Sequence, residues 1–296
     1  MLRQIVLKTP AKINLSLDIT GKLPNGYHTL RSVFQAVGIY DTLTLTRKAP
    51  DQPMTLSCNV PDVPCDARNL VWKAAQKLLG DTPCGVDLVL EKQIPAQAGM
   101  GGGSSDCAAA LLGIRRLMKP DIDDQTLHAY AAALGADVPF FLHGGTVLCE
   151  GIGEVLHPLA PAPRRYLVLA KGNEGVSTPE GYRRLDAYGA ELPCDTDNVL
   201  DALQKDADAL FSVCGNHFDA VTDLAETDLI RNVMRQNGIR PVLCGSGAAV
   251  FGGCASAEQA EICAAALRAQ QIPFVACAET VSSGVVTISE RNDEDF

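Results

Sequence analysis

Apolar and polar positions alternate near the start of the chain. Ile13, Leu15, Leu17 and Ile19 interleave with Asn14, Ser16 and Asp18. This period of two predicts a strand with one apolar face, and it puts Lys12 and Asn14 together on the other. Leu23-Pro24-Asn25-Gly26 then supplies turn chemistry. Further strands are predicted over 42–46, 54–60 and 86–91. Helical spacing over 69–79 stops at Gly80, which suits the position just past a helix end. The Ala/Leu-rich stretch 107–118 reads as a helix. Asp123 and Asp124 can cap another that ends near Gly135. An apolar run at 146–149 and the turn Gly151-Ile152-Gly153 follow.

Pro158, Pro161 and Pro163 interrupt the pattern. A domain boundary is expected there, giving 1–160 and 161–296. The second half predicts strands at 166–170, 241–244, 248–251, 273–277 and 281–288. Helices are predicted at 228–236 and 255–270. Irregular mixing of the two element types argues for α+β layers over a regular parallel βαβ fold. No internal repeat is visible.

Composition narrows the function. With 47% apolar and 20% charged residues, the chain is of ordinary globular type. A net charge of −10 and no Lys/Arg run argue against general nucleic-acid binding. An acidic chain can still bind a phosphorylated small molecule where it concentrates backbone N–H groups. The eleven cysteines show no C-x-x-C spacing, which argues against zinc and for reduced, buried thiols in a cytoplasmic protein. Residues 1–10 lack the apolar core of a signal peptide, and no stretch has the ~18 apolar residues of a membrane helix.

The main chemical signal is Gly99-Met100-Gly101-Gly102-Gly103-Ser104-Ser105-Asp106, leading into a helix. Four glycines let a backbone wrap closely around an anion. The first N–H groups of a helix lack intrahelical partners and carry partial positive charge, so a polyphosphate fits there. Ser104 and Ser105 could add hydroxyl contacts. The alternative is a flexible loop with a Ser/Asp cap. The Walker pattern, strict Gly-x-Gly-x-x-Gly and the protein-kinase signatures are all absent.

Pro95 followed by this glycine-serine run resembles the central motif of the GHMP kinases. Pro10-Ala11-Lys12-Ile13-Asn14-Leu15 is similar to the family's N-terminal motif, and Cys244-Gly245-Ser246-Gly247-Ala248-Ala249-Val250-Phe251 to its C-terminal one. Gly26-Tyr27-His28, Phe34-Gln35 and Gly135-Ala136-Asp137-Val138-Pro139-Phe140-Phe141 resemble a branch acting on a cytidine nucleotide-linked polyol. The resemblance implies a two-domain α+β GHMP kinase fold. Its N-terminal, ATP-binding domain would be like domain 2 of ribosomal protein S5, and its C-terminal domain would have ferredoxin-like α/β layers. Three departures stand out: Asp106 where Asn is frequent, Met100 where Leu is usual, and an uncommon Pro95-Ala96-Gln97-Ala98 lead.

The implied reaction transfers the γ-phosphate of ATP, handled with Mg²⁺, to an alcohol. Asp137 would be the base and Lys12 its cationic partner. Read alone, Asp137 is a turn or cap residue and Lys12 a solvated strand residue. Asn14, Tyr27, His28 and, more remotely, Tyr182 would contact the acceptor substrate. Asn69, Pro95, Gly99, Met100, Gly101, Gly102, Gly103, Ser104 and Ser105 would serve ATP, with Asn69 a helix cap on its own chemistry. Metal ligands are not assigned. Small-molecule partners and a monomer or weak homodimer are expected. The alternatives are a homoserine- or mevalonate-type kinase, or a non-catalytic ligand sensor on the same fold.

Overall fold

The computed structural model describes residues 1–80, 85–205 and 209–295. Its first half runs β1 (Leu2–Lys22), β2 (His28–Arg47), β3 (Thr55–Cys58), α1 (Leu70–Leu79), β4 (Val86–Glu91), α2 (Gly102–Met118), α3 (Asp124–Leu134), α4 (Val138–His143), β5 (Thr146–Glu150) and β6 (Val155–Pro158). The second half runs β7 (Tyr166–Lys171), α5 (Thr178–Tyr188), α6 (Thr196–Lys205), α7 (Leu210–Val213), β8 (Gly215–Asn216), α8 (Ala225–Gln236), β9 (Val242–Leu243), β10 (Val250–Cys254), α9 (Ala257–Ala269), β11 (Phe274–Glu279) and β12 (Val286–Asn292).

Two sheets result. The first has the order β12-β1-β2-β4-β3, with β5 on β2, β6 on β5 and β8 parallel to β1. The second has the order β11-β7-β10-β9 and is antiparallel throughout. Chain order and sheet membership do not divide at one point, because β12 returns to pair with β1.

The long hairpin β1–β2 organises the site. Ala11, Ile13 and Leu15 pack with Val33 and Val37 against Leu167, Leu169 and Phe251 of the second sheet. The opposite face carries Lys12 and Asn14, paired in register with Ala36 and Phe34. Helices α1 to α4 cover the other side of the first sheet in a core that includes Phe140, Phe141 and the alanines of α2. Trp72 packs at its edge. Helices α8 and α9 cover the second sheet.

Several boundaries differ from the sequence pattern for identifiable reasons. The helix expected from 107 begins at Gly102, inside the glycine run. The strand expected over 281–288 covers Val286–Asn292 instead. Residues 281–285 cross the first sheet, where Val281 N–H donates to Ala36 O and Val285 N–H to Phe141 O. The strand expected from 248 starts at Val250, because residues 244–249 wrap over the glycine loop. Helix α5 was not expected: its eleven residues are mostly polar and bury only Gly181 fully.

All ten cysteines among the described residues are free, and six are buried; Cys84 lies outside the described residues. Burial pushes the thiols of Cys107, Cys214, Cys244 and Cys254 up to about 12, so they stay protonated and unreactive at neutral pH. Among the described residues, no group of three His, Cys, Asp or Glu is placed to hold a metal ion. None of the described helices is long and apolar enough to cross a membrane.

Candidate active site

A cleft of about 820 Å³ opens between the β1–β2 hairpin, the glycine loop, α4, α5 and the 245–246 turn. Lys12 and Asp137 line it. Asp137 holds the N-cap position of α4, yet its side chain makes no capping hydrogen bond. Its carboxylate instead stands 3.8 Å from Lys12 Nζ and remains partly open to the cleft. The helix that carries it was missed in the sequence, because six residues are too few to show a period.

Lys12 is buried at 4% exposure, so its charge needs support. The ammonium donates to Asn14 Oδ1 at 2.8 Å and sits 4.5 Å from the centre of the Phe34 ring. Its backbone N–H donates to Met100 O at 3.0 Å, which ties the strand to the glycine loop. Asn14 is fully buried and connects three elements. It accepts from Lys12 and from Gly245 N–H, and donates to Ser32 Oγ. It also lines the cleft, with one amide hydrogen unspent.

The glycine loop is shaped by close approach. Gly99 and Gly101 both have φ of 72°. A Cβ on Gly99 would lie 1.8 Å from Cys244 O, so the 244–249 segment can pack here only on a glycine. Gly101 is the left-handed N-cap of α2, which leaves Gly102, Gly103 and Ser104 as its first turn. Their N–H groups have no intrahelical acceptor. Gly103 is exposed and Ser104 half-buried. This is the geometry of an anion site.

Two side chains of the glycine-serine run point into the core. Ser105 is fully buried; its hydroxyl donates to Pro10 O at 2.6 Å and meets Thr9 Oγ1. Its N–H is the first to close back on the helix, to Gly101 O. It is therefore a pin between α2 and β1, with its hydroxyl engaged by Pro10 and Thr9. Met100 is buried at 1% exposure and offers the loop only its backbone. Asn69 caps α1 through Val71 N–H and donates to Pro64 O, which occupies much of its amide. Its neighbour Leu70 comes near the loop, with Cδ1 3.9 Å from where a Cβ on Gly103 would stand. Neither Asn69 nor half-buried Pro95 lines the cleft.

Asp106 also faces inward. It is buried under the loop with Asp41 and Lys92, a cluster that sequence spacing could not reveal. Lys92 Nζ bridges both carboxylates, at 2.6 Å to Asp106 Oδ2. Asp41 Oδ1 further accepts from Gln93 and Ile94 N–H. Asp106 Oδ1 has no hydrogen-bond partner among the described residues. Burial pushes the Asp106 carboxyl up to about 8, and neighbouring Asp41 adds to this against the pull of Lys92. The departure at position 106 thus places no charge at the phosphate surface.

At the other end of the cleft, Tyr27 stands 61% exposed beyond the 24–26 turn. His28 stacks on Tyr182, ring centres 4.5 Å apart and planes 15° from parallel. Tyr182 in turn meets Phe218 edge-on at 5.1 Å. Burial, with a contribution from Asp137, pushes the Tyr182 phenol up to about 12, which keeps it a donor. All three predicted aromatic positions therefore share one pocket with Lys12 and Asp137. Asp186, Lys22 and Ser246 line it as well, and no sequence signal had singled out the first two.

A buried lysine paired with a half-open aspartate, next to a glycine-rich helix start and an aromatic pocket, is the arrangement expected of a small-molecule phosphotransferase of the GHMP type. The family described as "GHMP kinases N terminal domain" matches residues 69–145. The 4-diphosphocytidyl-2-C-methyl-D-erythritol kinase of Bacillus pumilus is 41% identical over 255 residues, covering 84% of this chain and 88% of the relative. A crystal structure of 4-(cytidine 5'-diphospho)-2C-methyl-D-erythritol kinase superposes with a TM-score of 0.77 at 33% identity, covering 93% of this chain and 99% of the other. Leishmania major mevalonate kinase, at 17% identity and a TM-score of 0.72 over 94% and 96% of the two chains, shares the fold. The chain belongs to the 4-diphosphocytidyl-2-C-methyl-D-erythritol kinase family of GHMP kinases.

Proposed function

We propose that this enzyme transfers the γ-phosphate of ATP to the 2-hydroxyl of 4-diphosphocytidyl-2-C-methyl-D-erythritol, a step of the non-mevalonate route to isoprenoids, giving the 2-phosphate and ADP. The observation that carries the reading is the Lys12–Asp137 pair at 3.8 Å, set in a cleft that also reaches the glycine loop and the aromatic pocket. The relatives' shared activity supplies the substrate.

The triphosphate lies on the first turn of α2, where Gly102, Gly103 and Ser104 offer N–H groups. The acceptor hydroxyl lies at Asp137. As its oxygen bonds to the γ-phosphorus, the bond to the ADP oxygen breaks and Asp137 takes the hydroxyl proton. Lys12 favours the ionised Asp137 and offsets charge on the moving phosphoryl group. Asn14 and Phe34 hold that ammonium in place. Tyr27, His28 and Tyr182 take the cytosine.

Mg²⁺ would arrive with ATP, held mainly by the phosphate oxygens, which are hard donors. Bound with ATP, it would neutralise phosphate charge. The net charge of −10 fits small-molecule partners better than nucleic acid, in a cytoplasmic monomer or weak homodimer.

The test is to incubate the protein with ATP, Mg²⁺ and the cytidine diphosphate acceptor and follow the product by phosphorus NMR. A new phosphomonoester on the 2-oxygen is expected, equimolar with ADP. An unchanged acceptor would refute the assignment.

A further inference from the structure

At the far end of the cleft, one side chain has no place in the chemistry just described. Asp186, on α5, divides its carboxylate between two partners. Oδ1 meets His28 Nε2 at 2.7 Å, and Oδ2 accepts from Lys22 Nζ at 2.5 Å. Lys22, and then His28, hold its carboxyl below the usual range, so it is ionised at neutral pH.

An ionised carboxylate can only accept. The proton in the His28–Asp186 contact therefore belongs to Nε2. In the neutral ring, Nδ1 is then bare, and it has no hydrogen-bond partner among the described residues. The His28 side chain is only 9% exposed and is clamped face-on to Tyr182. Asp186 thus fixes two things: which nitrogen carries the proton, and which way round the ring sits.

We propose that Asp186 is a positioning residue that makes the pocket select an amino-bearing pyrimidine, by presenting His28 Nδ1 as a hydrogen-bond acceptor. This rests on the reading that the cytosine of the acceptor occupies this end of the cleft. Cytosine offers an amino donor at C4, where uracil offers a carbonyl acceptor. A bare Nδ1 pairs with the first and opposes the lone pairs of the second. A buried group left facing the wrong partner costs enough to give about tenfold discrimination or more.

The experiment compares the cytidine acceptor with its uridine diphosphate analogue. Wild type, Asp186→Ala and Asp186→Asn are measured with each. Wild type is expected to favour the cytidine acceptor at least tenfold in kcat/KM. Asp186→Ala should lose most of that preference through KM, with kcat changed less than about threefold. Asp186→Asn should keep it, because its amide oxygen still accepts from Nε2 and only the charge is lost. Nitrogen-15 NMR of the wild-type protein should show His28 protonated at Nε2 and bare at Nδ1.

Equal preference in wild type and Asp186→Ala, or a proton found on Nδ1, overturns the proposal. So does an Asp186→Asn variant that behaves like Asp186→Ala, since the Lys22 ion pair alone would then explain the effect. If wild type phosphorylates neither acceptor, the functional reading fails, and the NMR result still decides the histidine's state.

Discussion

Replacing Gly99 by alanine should damage both stability and turnover. The new methyl would sit 1.8 Å from Cys244 O and 2.6 Å from Cys244 C, against an ordinary contact of 3.4 Å. Both atoms are backbone, so no side chain can swing aside. The 244–249 segment must retreat, and the bonds Ala248 N–H to Gln97 O and Ala249 N–H to Ala98 O stretch with it. Two weakened backbone bonds cost about 1 kcal/mol each. Holding alanine at the φ of 72° that Gly99 adopts adds to this, by about 1–2 kcal/mol. The total of about 3–4 kcal/mol should lower Tm by roughly 6 °C or more. Catalysis should suffer too, because Gly245 N–H on the displaced segment braces Asn14, which holds Lys12. The control is Gly103→Ala, whose methyl meets only Leu70 Cδ1 at 3.9 Å. It should leave Tm unchanged or slightly raised, while raising KM for ATP by narrowing the phosphate's approach. Thermal unfolding and initial rates over a range of ATP concentrations read both. A Gly99→Ala enzyme with wild-type Tm and KM would refute the packing argument.

Four further substitutions separate the site's parts. Lys12→Met keeps the stem on Phe34 and removes the charge; kcat should fall about 10²–10³-fold, with Tm held, as read by steady-state kinetics and calorimetry. Ser105→Ala should cost about 1–3 kcal/mol in denaturant unfolding and leave KM for ATP alone, whereas Ser104→Ala should do the reverse. Asp106 has a folded pKa of about 8, above its unfolded value of about 3.9. Its contribution is therefore fully present at low pH and is lost as pH rises towards 8. Asp106→Asn should flatten that fall when unfolding free energy is followed from pH 4 to 8.

Much of the scaffold was legible because its elements carry strong local signals. Strand β4 matches its predicted range, and α1 and α3 start and stop at their expected caps, Asn69 and Asp123, Gly80 and Gly135. The parts that escaped lack such signals. Helix α5 has a mostly polar surface and is held by Tyr182 on Phe218 and by Thr178 against Ser246, contacts that no periodicity encodes. The early start of α2 runs against glycine's poor helix propensity and follows from packing around Gly101, where Phe141 and Lys12 press close. The same holds for chemistry. Lys12, Asp137 and the glycine loop stood in motifs. Asp41, Lys92 and Asp106 are brought together only by the fold, and so are Asp186 and His28.

In the proposed reaction Asp137 removes the acceptor's proton within a site built for ATP and the cytidine-linked alcohol. The direct measurement is the single-turnover rate of acceptor-dependent ADP formation in wild type and in Asp137→Asn. An asparagine keeps the shape and cannot take the proton. The rate should fall at least about 100-fold, with the affinity for ATP and acceptor within a few-fold of wild type. An Asp137→Asn enzyme that turns over at the wild-type rate would contradict it.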